Sequence, residues 1–207
     1  MELTYGRYLK VEELLQLQQP LSEGPEHDEM LFIIIHQVYE LWFKQILHEL
    51  EKLKSSFQEG ERGKALHTLK RIRSILKVLV SQVDVLETMT PLEFLSFRER
   101  LQSASGFQSC QFRELEFTLG LKNPKHLEHY PQGSEERNRL EKKMEEPSLW
   151  EVFLQFLSSL GHDSPKLKEG GRSIEPPDSS EAVSYTHLRA HETLRYLVWR
   201  GGREKKK

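Results

Sequence analysis

The sequence has only one cysteine, Cys110, so it cannot form an intramolecular disulfide, and this predicts a reducing compartment such as the cytoplasm. Its longest uninterrupted apolar run, residues 30–35, is far too short to cross a bilayer. The first residues lack the basic stretch and apolar core of a secretory signal. With a formal net charge of -2, the composition favours neither a nucleic-acid partner nor a membrane surface.

Two common kinds of chemical site are also missing from the sequence. There is no glycine-rich phosphate-binding loop and no cluster of cysteine and histidine at metal-ligand spacing. His187 and His191 are four residues apart, as two ligands on one helix face would be, but no third ligand accompanies them. We therefore predict no metal site built from clustered side chains.

Apolar residues recur at helical spacing through most of the chain, and strand signals are absent. Two long helices are predicted over residues 28–57 and 64–89, with Asp28 as the N-cap of the first. Because residues 30–35 are apolar all round, this part of the first helix is predicted to be buried on every side.

Start and stop signals predict three shorter helices. The sequence Thr-Pro-Leu-Glu from Thr90 is typical of a capping box that opens a short helix. A further helix over residues 107–119 is predicted to stop at Gly120. A second capping box, Ser-Leu-Trp-Glu from Ser148, opens a helix that ends near Gly161.

These elements predict an all-α fold, a bundle of long antiparallel helices joined by short turns, over residues 1–161. Within it, residues 122–147 are polar and contain three prolines, so we predict a loop with some helix there. Residues 162–207 form a second segment that is rich in proline, glycine, serine and charge. That composition predicts a disordered tail.

The first long helix carries a histidine in an apolar setting. Phe32 and His36 are four residues apart, so they share one helix face. A buried imidazole is costly unless it is hydrogen-bonded. His36 is therefore either a core residue bonded to Glu40 or to a backbone carbonyl, or a functional group, and spacing alone favours the core interpretation.

Phe94 and Arg98 have the same spacing on the short helix that follows Thr90. A guanidinium among apolar residues suits a planar acid, such as the carboxylate of a ligand. The alternative is a surface arginine that lies along apolar neighbours or pairs with Glu93. Spacing alone again favours the alternative.

Two other stretches have both a functional and an ordinary interpretation. Residues 103–109, Ser-Ala-Ser-Gly-Phe-Gln-Ser, place a glycine-containing turn at a helix start, where amides can bind an anion or a propionate. A plain helix cap is the commoner outcome. Tyr5 and Tyr8, in Tyr-Gly-Arg-Tyr, belong either to a binding segment or to a merely ordered arm.

Taken together, these stretches resemble the tryptophan 2,3-dioxygenase family, in the same order and at the same separations. The resemblance is close over residues 4–121 and weaker over residues 122–161. The matching segments are Tyr-Gly-Arg-Tyr-Leu from Tyr5, Leu-Gln-Gln-Pro-Leu-Ser-Glu from Leu17, His-Asp-Glu-Met-Leu-Phe from His27, His36-Gln37, Glu-Leu-Trp from Glu40, Leu-Glu-Thr-Met-Thr from Leu86, Phe97-Arg98 and Ala-Ser-Gly-Phe-Gln-Ser from Ala104.

The resemblance implies an all-α, homotetrameric enzyme that depends on haem b. Such enzymes insert both atoms of dioxygen across the indole C2–C3 bond of L-tryptophan and form N-formylkynurenine, the first step of the kynurenine pathway. By the same resemblance, His36 hydrogen-bonds the indole N–H and Arg98 pairs with the substrate carboxylate.

The resemblance also assigns the walls of the pocket. Phe32 lines the indole, with residues Ile33, Ile34 and Ile35 beside it, and Phe94 lies next to both substrate and haem. Ser105 corresponds to a serine near a haem propionate, and Tyr5 and Tyr8 to an arm that enters a neighbouring subunit's pocket.

The family's proximal haem-ligating histidine has no recognised counterpart, because none of His162, His187 and His191 has a matching context. The tail from about residue 183 resembles peptides translated from sequencing adapters. We therefore expect the chain as written to bind haem poorly and to be inactive. Two alternatives are a non-enzymatic helical fragment or interaction module that keeps the fold without haem, and a related indole dioxygenase of looser specificity. The arm at Tyr5 argues against the latter.

Overall fold

Helices form the regular structure of the computed structural model, which describes residues 3–22, 24, 26–101 and 108–162, and no strand occurs among those residues. This confirms the predicted all-α class. The helices are α1 (Tyr5–Leu9), α2 (Val11–Leu14), α3 (Asp28–Gln58), α4 (Arg62–Leu86), α5 (Pro91–Arg98), α6 (Cys110–Leu119), α7 (Glu135–Glu145) and α8 (Leu149–Ser159), with 3-10 turns at Glu99–Leu101 and Pro124–His129.

The two long helices, α3 and α4, form an antiparallel pair, and α6 and α8 pack against α3. The Tyr39 hydroxyl near the start of α3 donates to the Leu79 carbonyl near the end of α4, at 2.7 Å. Apolar side chains from all four helices share one core, which excludes water from the middle of the bundle. Its buried members are Ile46, Leu50, Leu53, Phe57, Ala65, Ile72, Ile75, Leu79, Leu115 and Val152.

A smaller core joins α6 to α7 and the 3-10 turn before it. Phe117, Tyr130 and Leu140 are buried in it, and Cys110 packs against them. The Cys110 thiol lies 3.7 Å from the Glu136 carbonyl oxygen, to which it donates. Burial, reinforced by the negative charge of Glu114, raises the pKa of the Cys110 thiol to about 11.

Both predicted capping boxes are confirmed. The Thr90 hydroxyl accepts from the Glu93 amide while the Glu93 carboxylate accepts from the Thr90 amide, and Ser148 and Glu151 do the same at α8. The predicted stop at Gly120 is also confirmed, since this residue ends α6 with φ at 111°, a conformation that side chains with a Cβ disfavour.

Two local predictions about the helices are wrong. Asp28 does not cap α3: His27 already has helical dihedrals, and Asp28 is the first residue of the helix, where its charge faces the helix dipole favourably. Residues 30–35 are not buried on every side, because Met30 and Ile34, one turn apart, are 37% and 42% exposed. An apolar run indicates a preference for burial without specifying what covers it.

The loop with some helix that was predicted over residues 122–147 is confirmed only in its helical part, because the 3-10 turn Pro124–His129 and helix α7 occupy most of the segment. Apolar periodicity is weak there, because Leu140 is the only buried residue of α7. Polar contacts hold the helix instead: Ser134 caps it, and Arg139 forms a bidentate pair with the buried Glu114 of α6, at 2.8 Å for both contacts.

In the described part of the chain, every helix is too short or too polar to span a bilayer.

We expect Leu50→Ala to lower the free energy of unfolding by about 2–5 kcal/mol, because Leu50 is fully buried in the larger core and its loss leaves a cavity. Urea unfolding followed by circular dichroism measures the change. Leu66→Ala on α4 is the matched control, since Leu66 is 55% exposed and should alter stability much less. Equal losses for both variants would contradict the assignment of the core.

Candidate functional site

Four rings from α3 and α5 form one aromatic cluster. The centroid of Phe32 lies 4.0 Å from that of His36, 5.8 Å from that of Phe94 and 5.6 Å from that of Phe97. Phe94 and Phe97 meet edge to face at 5.5 Å. Phe97 is fully buried, whereas the other three rings are half-buried. The cluster is thus anchored by Phe97 and open on the side that Phe32, His36 and Phe94 share.

His36 is held by the backbone of its own helix. Its Nδ1 atom lies 2.7 Å from the Phe32 carbonyl oxygen. A carbonyl oxygen can only accept, so Nδ1 must carry the hydrogen, and in the neutral ring Nε2 is then an acceptor. Of the two partners that the sequence left open, the backbone carbonyl is therefore the observed one.

Glu40, the other predicted partner of His36, is bonded elsewhere. The Gln111 side chain of α6 donates to the Glu40 carboxylate at 2.7 Å and to the Glu40 carbonyl at 3.0 Å. This pair fastens the start of α6 to α3 one turn beyond His36. The proposed contact of His36 with Glu40 is thus wrong, because Gln111, distant in sequence, takes that position.

Glu29 lies on the other side of the ring pair along α3. Its carboxylate is 1% exposed and accepts from the amides of Leu21 at 2.7 Å and Ser22 at 3.0 Å. Burial by itself raises the pKa of Glu29, but hydrogen bonds from Ser22 and Leu21 and the nearby charge of Arg100 outweigh it and lower the pKa. Glu29 is therefore a buried, charged acceptor at the edge of the site.

Helix α5 brings Phe94 and Arg98 to α3. Its capping box at Thr90 fixes where the helix begins, and the Phe94 ring, one turn later, meets Phe32. Arg98 is the last residue of α5 and is half-buried, one turn beyond Phe94. The structure therefore brings His36, Phe32 and Phe94 together across α3 and α5, and the binding role of Arg98 stays a prediction.

Residues 33–35 do not all share that face. On an α-helix, Ile34 lies about 200° and Ile35 about 300° around the axis from Phe32. Ile34 is 42% exposed, whereas Ile35 is buried and Ile33 is half-buried. Their assignment to the substrate stays a prediction.

Tyr5 and Tyr8 lie in α1, a short helix that buries none of its residues. Their exposed fractions are 78% and 72%, and Leu15 and Leu17, farther along the chain, are also exposed. Several exposed apolar side chains in one short segment are typical of a surface that packs against a partner. The arm, residues 3–16, thus presents an apolar surface that its own subunit leaves uncovered.

Some predicted residues lie outside the described part of the chain. These are Ser105 and the other residues of 102–107, together with His187, His191 and the tail from residue 163. Ser109, at the end of that turn, is described and accepts from the Phe112 amide at 3.1 Å, so the cap interpretation is confirmed for this residue.

The described residues offer one apolar wall that fits a haem pocket, formed by the half-buried rings of Phe32 and Phe94 with Phe97 buried behind them. They supply no recognised axial ligand: besides His36 at the cluster, the described histidines His27, His48, His67, His129 and His162 are exposed, and His126 lies in the 3-10 turn before α7. No three His, Cys, Asp or Glu side chains among the described residues are grouped as ligands of a metal ion.

Sequence reasoning missed the polar residues that frame the cluster, namely Glu29, Gln37 and Gln111. Each bonds a segment that is distant in the chain, so helical periodicity gave no signal for them. One signal for Glu29 was available, since this carboxylate stands directly before an apolar run. A carboxylate buried with that run requires hydrogen-bond donors, so such donors could have been predicted.

The chain is similar in sequence to known proteins of one family. The family model described as tryptophan 2,3-dioxygenase matches residues 1–173. The chain is 56% identical over 181 residues to the tryptophan 2,3-dioxygenase of Herpetosiphon aurantiacus, covering 87% of this chain and 69% of that protein.

Two further relatives carry the same name. The protein of Anaeromyxobacter sp. (strain K) is 52% identical over 182 residues, which are 87% of this chain and 67% of that protein. The protein of Nocardioides sp. is 48% identical over 204 residues, 96% of this chain and 72% of that protein. With its helical fold, its paired motifs on α3 and α5 and these matches, the chain belongs to the tryptophan 2,3-dioxygenase family.

Proposed function

We propose that this chain forms the substrate side of a haem-dependent dioxygenase that converts L-tryptophan and dioxygen to N-formylkynurenine. The observation that carries the proposal is the hydrogen bond from His36 Nδ1 to the Phe32 carbonyl. It leaves Nε2 as an acceptor on a ring that packs against Phe32, which in turn meets Phe94. An indole N–H donated to Nε2 would hold the substrate in one orientation against those rings.

Arg98 is proposed to bind the substrate carboxylate. It lies one turn from Phe94, so a ligand whose ring contacts Phe94 would bring its carboxylate toward the end of α5. A guanidinium offers two parallel N–H donors to a carboxylate, which fixes direction as well as charge. Together, His36 and Arg98 would distinguish an amino acid with an indole ring from indole alone.

The aromatic cluster would complete the pocket. Phe32 and Phe94 have centroids 5.8 Å apart and would pack against the indole, with Phe97 buried behind them. Such surfaces exclude water and strengthen the polar contacts of His36 and Arg98. Bound haem would supply the activation of dioxygen, and Phe94 and Ser105 are the residues proposed to lie against it.

Tyr5 and Tyr8 are proposed to close the pocket of a neighbouring copy. Their exposure on the present chain supports this, because an apolar arm gains stability by burial against another subunit. Composite sites of this kind require an oligomer, and we propose a homotetramer. A cytoplasmic location stays a prediction that rests on the single cysteine.

The activity is tested by measuring N-formylkynurenine formation from tryptophan with haem supplied, by mass spectrometry. One sample is the chain itself, and the other is residues 1–162 joined to the C-terminal part of the Herpetosiphon aurantiacus relative. We expect turnover from the joined protein and none from the chain alone, because no axial ligand is recognised among its described histidines. An inactive joined protein that binds haem would contradict the proposed function and favour the non-enzymatic alternative. Turnover by the chain alone would show that it contains a ligand histidine.

Arg98→Ala should weaken tryptophan binding about tenfold to a hundredfold in the haem-loaded active form, because a charge-assisted pair is lost. Arg98→Lys should recover part of the affinity, since it keeps the charge without the planar fork. Spectroscopic titration of haem with tryptophan gives the Kd. Arg73→Ala, at an exposed position of α4, is the control. An unchanged Kd in Arg98→Ala would exclude the carboxylate contact.

The hydrogen position on His36 can be read directly. In protein labelled with ¹⁵N histidine, we expect the neutral ring of His36 to be protonated at Nδ1 and unprotonated at Nε2, because Nδ1 donates to the Phe32 carbonyl. Exposed His48 provides a reference for a ring in contact with water. If the neutral ring were protonated at Nε2, the His36 N–H would face the indole N–H of the substrate. That result would refute the proposed acceptor role.

A further inference from the structure

The arm is joined to helix α3 through a short connector, residues 17–22, that is held by side chains of α3. The Gln37 amide donates to the Leu17 carbonyl at 3.0 Å and accepts from the Gln18 side chain at 2.5 Å. At the other end, Glu29 accepts from the amides of Leu21 and Ser22. The connector is therefore fixed at both ends, whereas the arm before it has no buried residue in either of its helices.

The contact at Glu29 is unusual in its chemistry. The carboxylate is almost completely buried, and each of its oxygens accepts from one of two consecutive amides, at 2.7 Å and 3.0 Å. Burying a carboxylate is costly unless donors replace the lost water. Two consecutive amides that bond one carboxylate constrain the backbone of the connector at that point. The contact thus selects a direction for the chain as it leaves α3 toward the arm.

Glu29 also shares a helix face with the aromatic cluster. Positions 29, 32 and 36 are spaced by three and four residues, which aligns Glu29 with Phe32 and His36 along α3. The connector is thereby fastened about one turn from the rings that form the candidate pocket. A change in the connector's direction would shift the arm relative to the subunit that carries it.

We propose that Glu29 is a positioning residue. It fixes the direction in which the N-terminal arm extends from its subunit and so determines how the arm closes the tryptophan pocket of a neighbouring copy. The inference rests on the proposed function for the role of the arm, and on the structure for the contact itself. Glu29 touches no reacting group and acts through the connector. A purely structural residue would instead affect stability alone, irrespective of the arm.

The first experiment tests the contact in the 207-residue chain. Hydrogen–deuterium exchange should be about tenfold or more faster at the amides of Leu21 and Ser22 in Glu29→Gln than in the unaltered chain, because one carboxylate oxygen is replaced by a donor. Asp28→Asn removes a neighbouring carboxylate of the same helical turn and is the matched control. Unchanged exchange at both amides in Glu29→Gln would overturn the proposal.

A second variant keeps the test decisive if Glu29→Gln does not fold. Glu29→Asp keeps the charge but shortens the side chain by one methylene, so it should withdraw the carboxylate from the Leu21 and Ser22 amides while core amides near Leu50 stay protected. If Glu29→Gln unfolds the core, Glu29→Asp decides the question. Continued protection of both amides in that variant would overturn the proposal as well.

The second experiment tests positioning in whichever form gives turnover. Glu29→Gln should raise KM for tryptophan about tenfold and change kcat less than twofold, and deletion of residues 1–9 should also raise KM. In the deletion background, Glu29→Gln should have no further effect on KM, because the two changes act through the same arm.

The outcomes separate the two proposals. If the deletion leaves KM unchanged, the composite pocket of the proposed function is wrong, and the positioning role is overturned with it while the measured contact stands. If the deletion raises KM but Glu29→Gln does not, only the positioning role is overturned. Additive effects of the two changes would also overturn it, because they would show that Glu29 acts on the pocket without the arm.

Discussion

Helix α3 couples the stability of the bundle to the geometry of the site. Its second half buries Ile46, Leu50, Leu53 and Phe57 in the large core, where α4, α6 and α8 pack against it. Its first half carries Phe32 and His36. Because a continuous helix transmits position along its axis, the core determines where these two rings lie. The packed second half of α3 thus fixes the position of the site residues on its first half.

Carboxylates along α3 add direction to that packing. Glu29 holds the connector, Glu40 holds Gln111 of α6, and Glu49 holds Arg71 of α4 at 2.9 Å. Apolar packing tolerates small shifts, whereas a buried or half-buried carboxylate is satisfied only when its donors are in place. Three different neighbours of α3 are therefore set in register by three acids of the same helix.

Much of the fold and half of the site could be predicted from local sequence. Periodicity predicted α3 and α4, and cap chemistry predicted where α5 and α8 begin, because these signals act within a few residues. The pairs of Phe32 with His36 and of Phe94 with Arg98 were visible for the same reason. Their meeting across two helices came from resemblance to a family, since no local pattern specifies it.

The missed features depend on contacts between distant segments. Helix α7 is held by Arg139 and Glu114, which are 25 residues apart, and it has too few apolar residues to produce a pattern. Gln111 reaches Glu40 across 71 residues. The exposed face at Met30 and Ile34 was predicted to be buried because an apolar run does not reveal which side has a partner.

The buried environment of Cys110 has a consequence for a protein whose family handles dioxygen. Oxidants attack the thiolate rather than the thiol, and with a pKa of about 11 very little thiolate exists at neutral pH. Cys110 is also the only cysteine, so a sulfenic acid formed there would have no second thiol in the chain to condense with. The fold thereby keeps the Cys110 thiol unreactive toward oxidants. The chain also cannot form an intramolecular disulfide that would respond to oxidation.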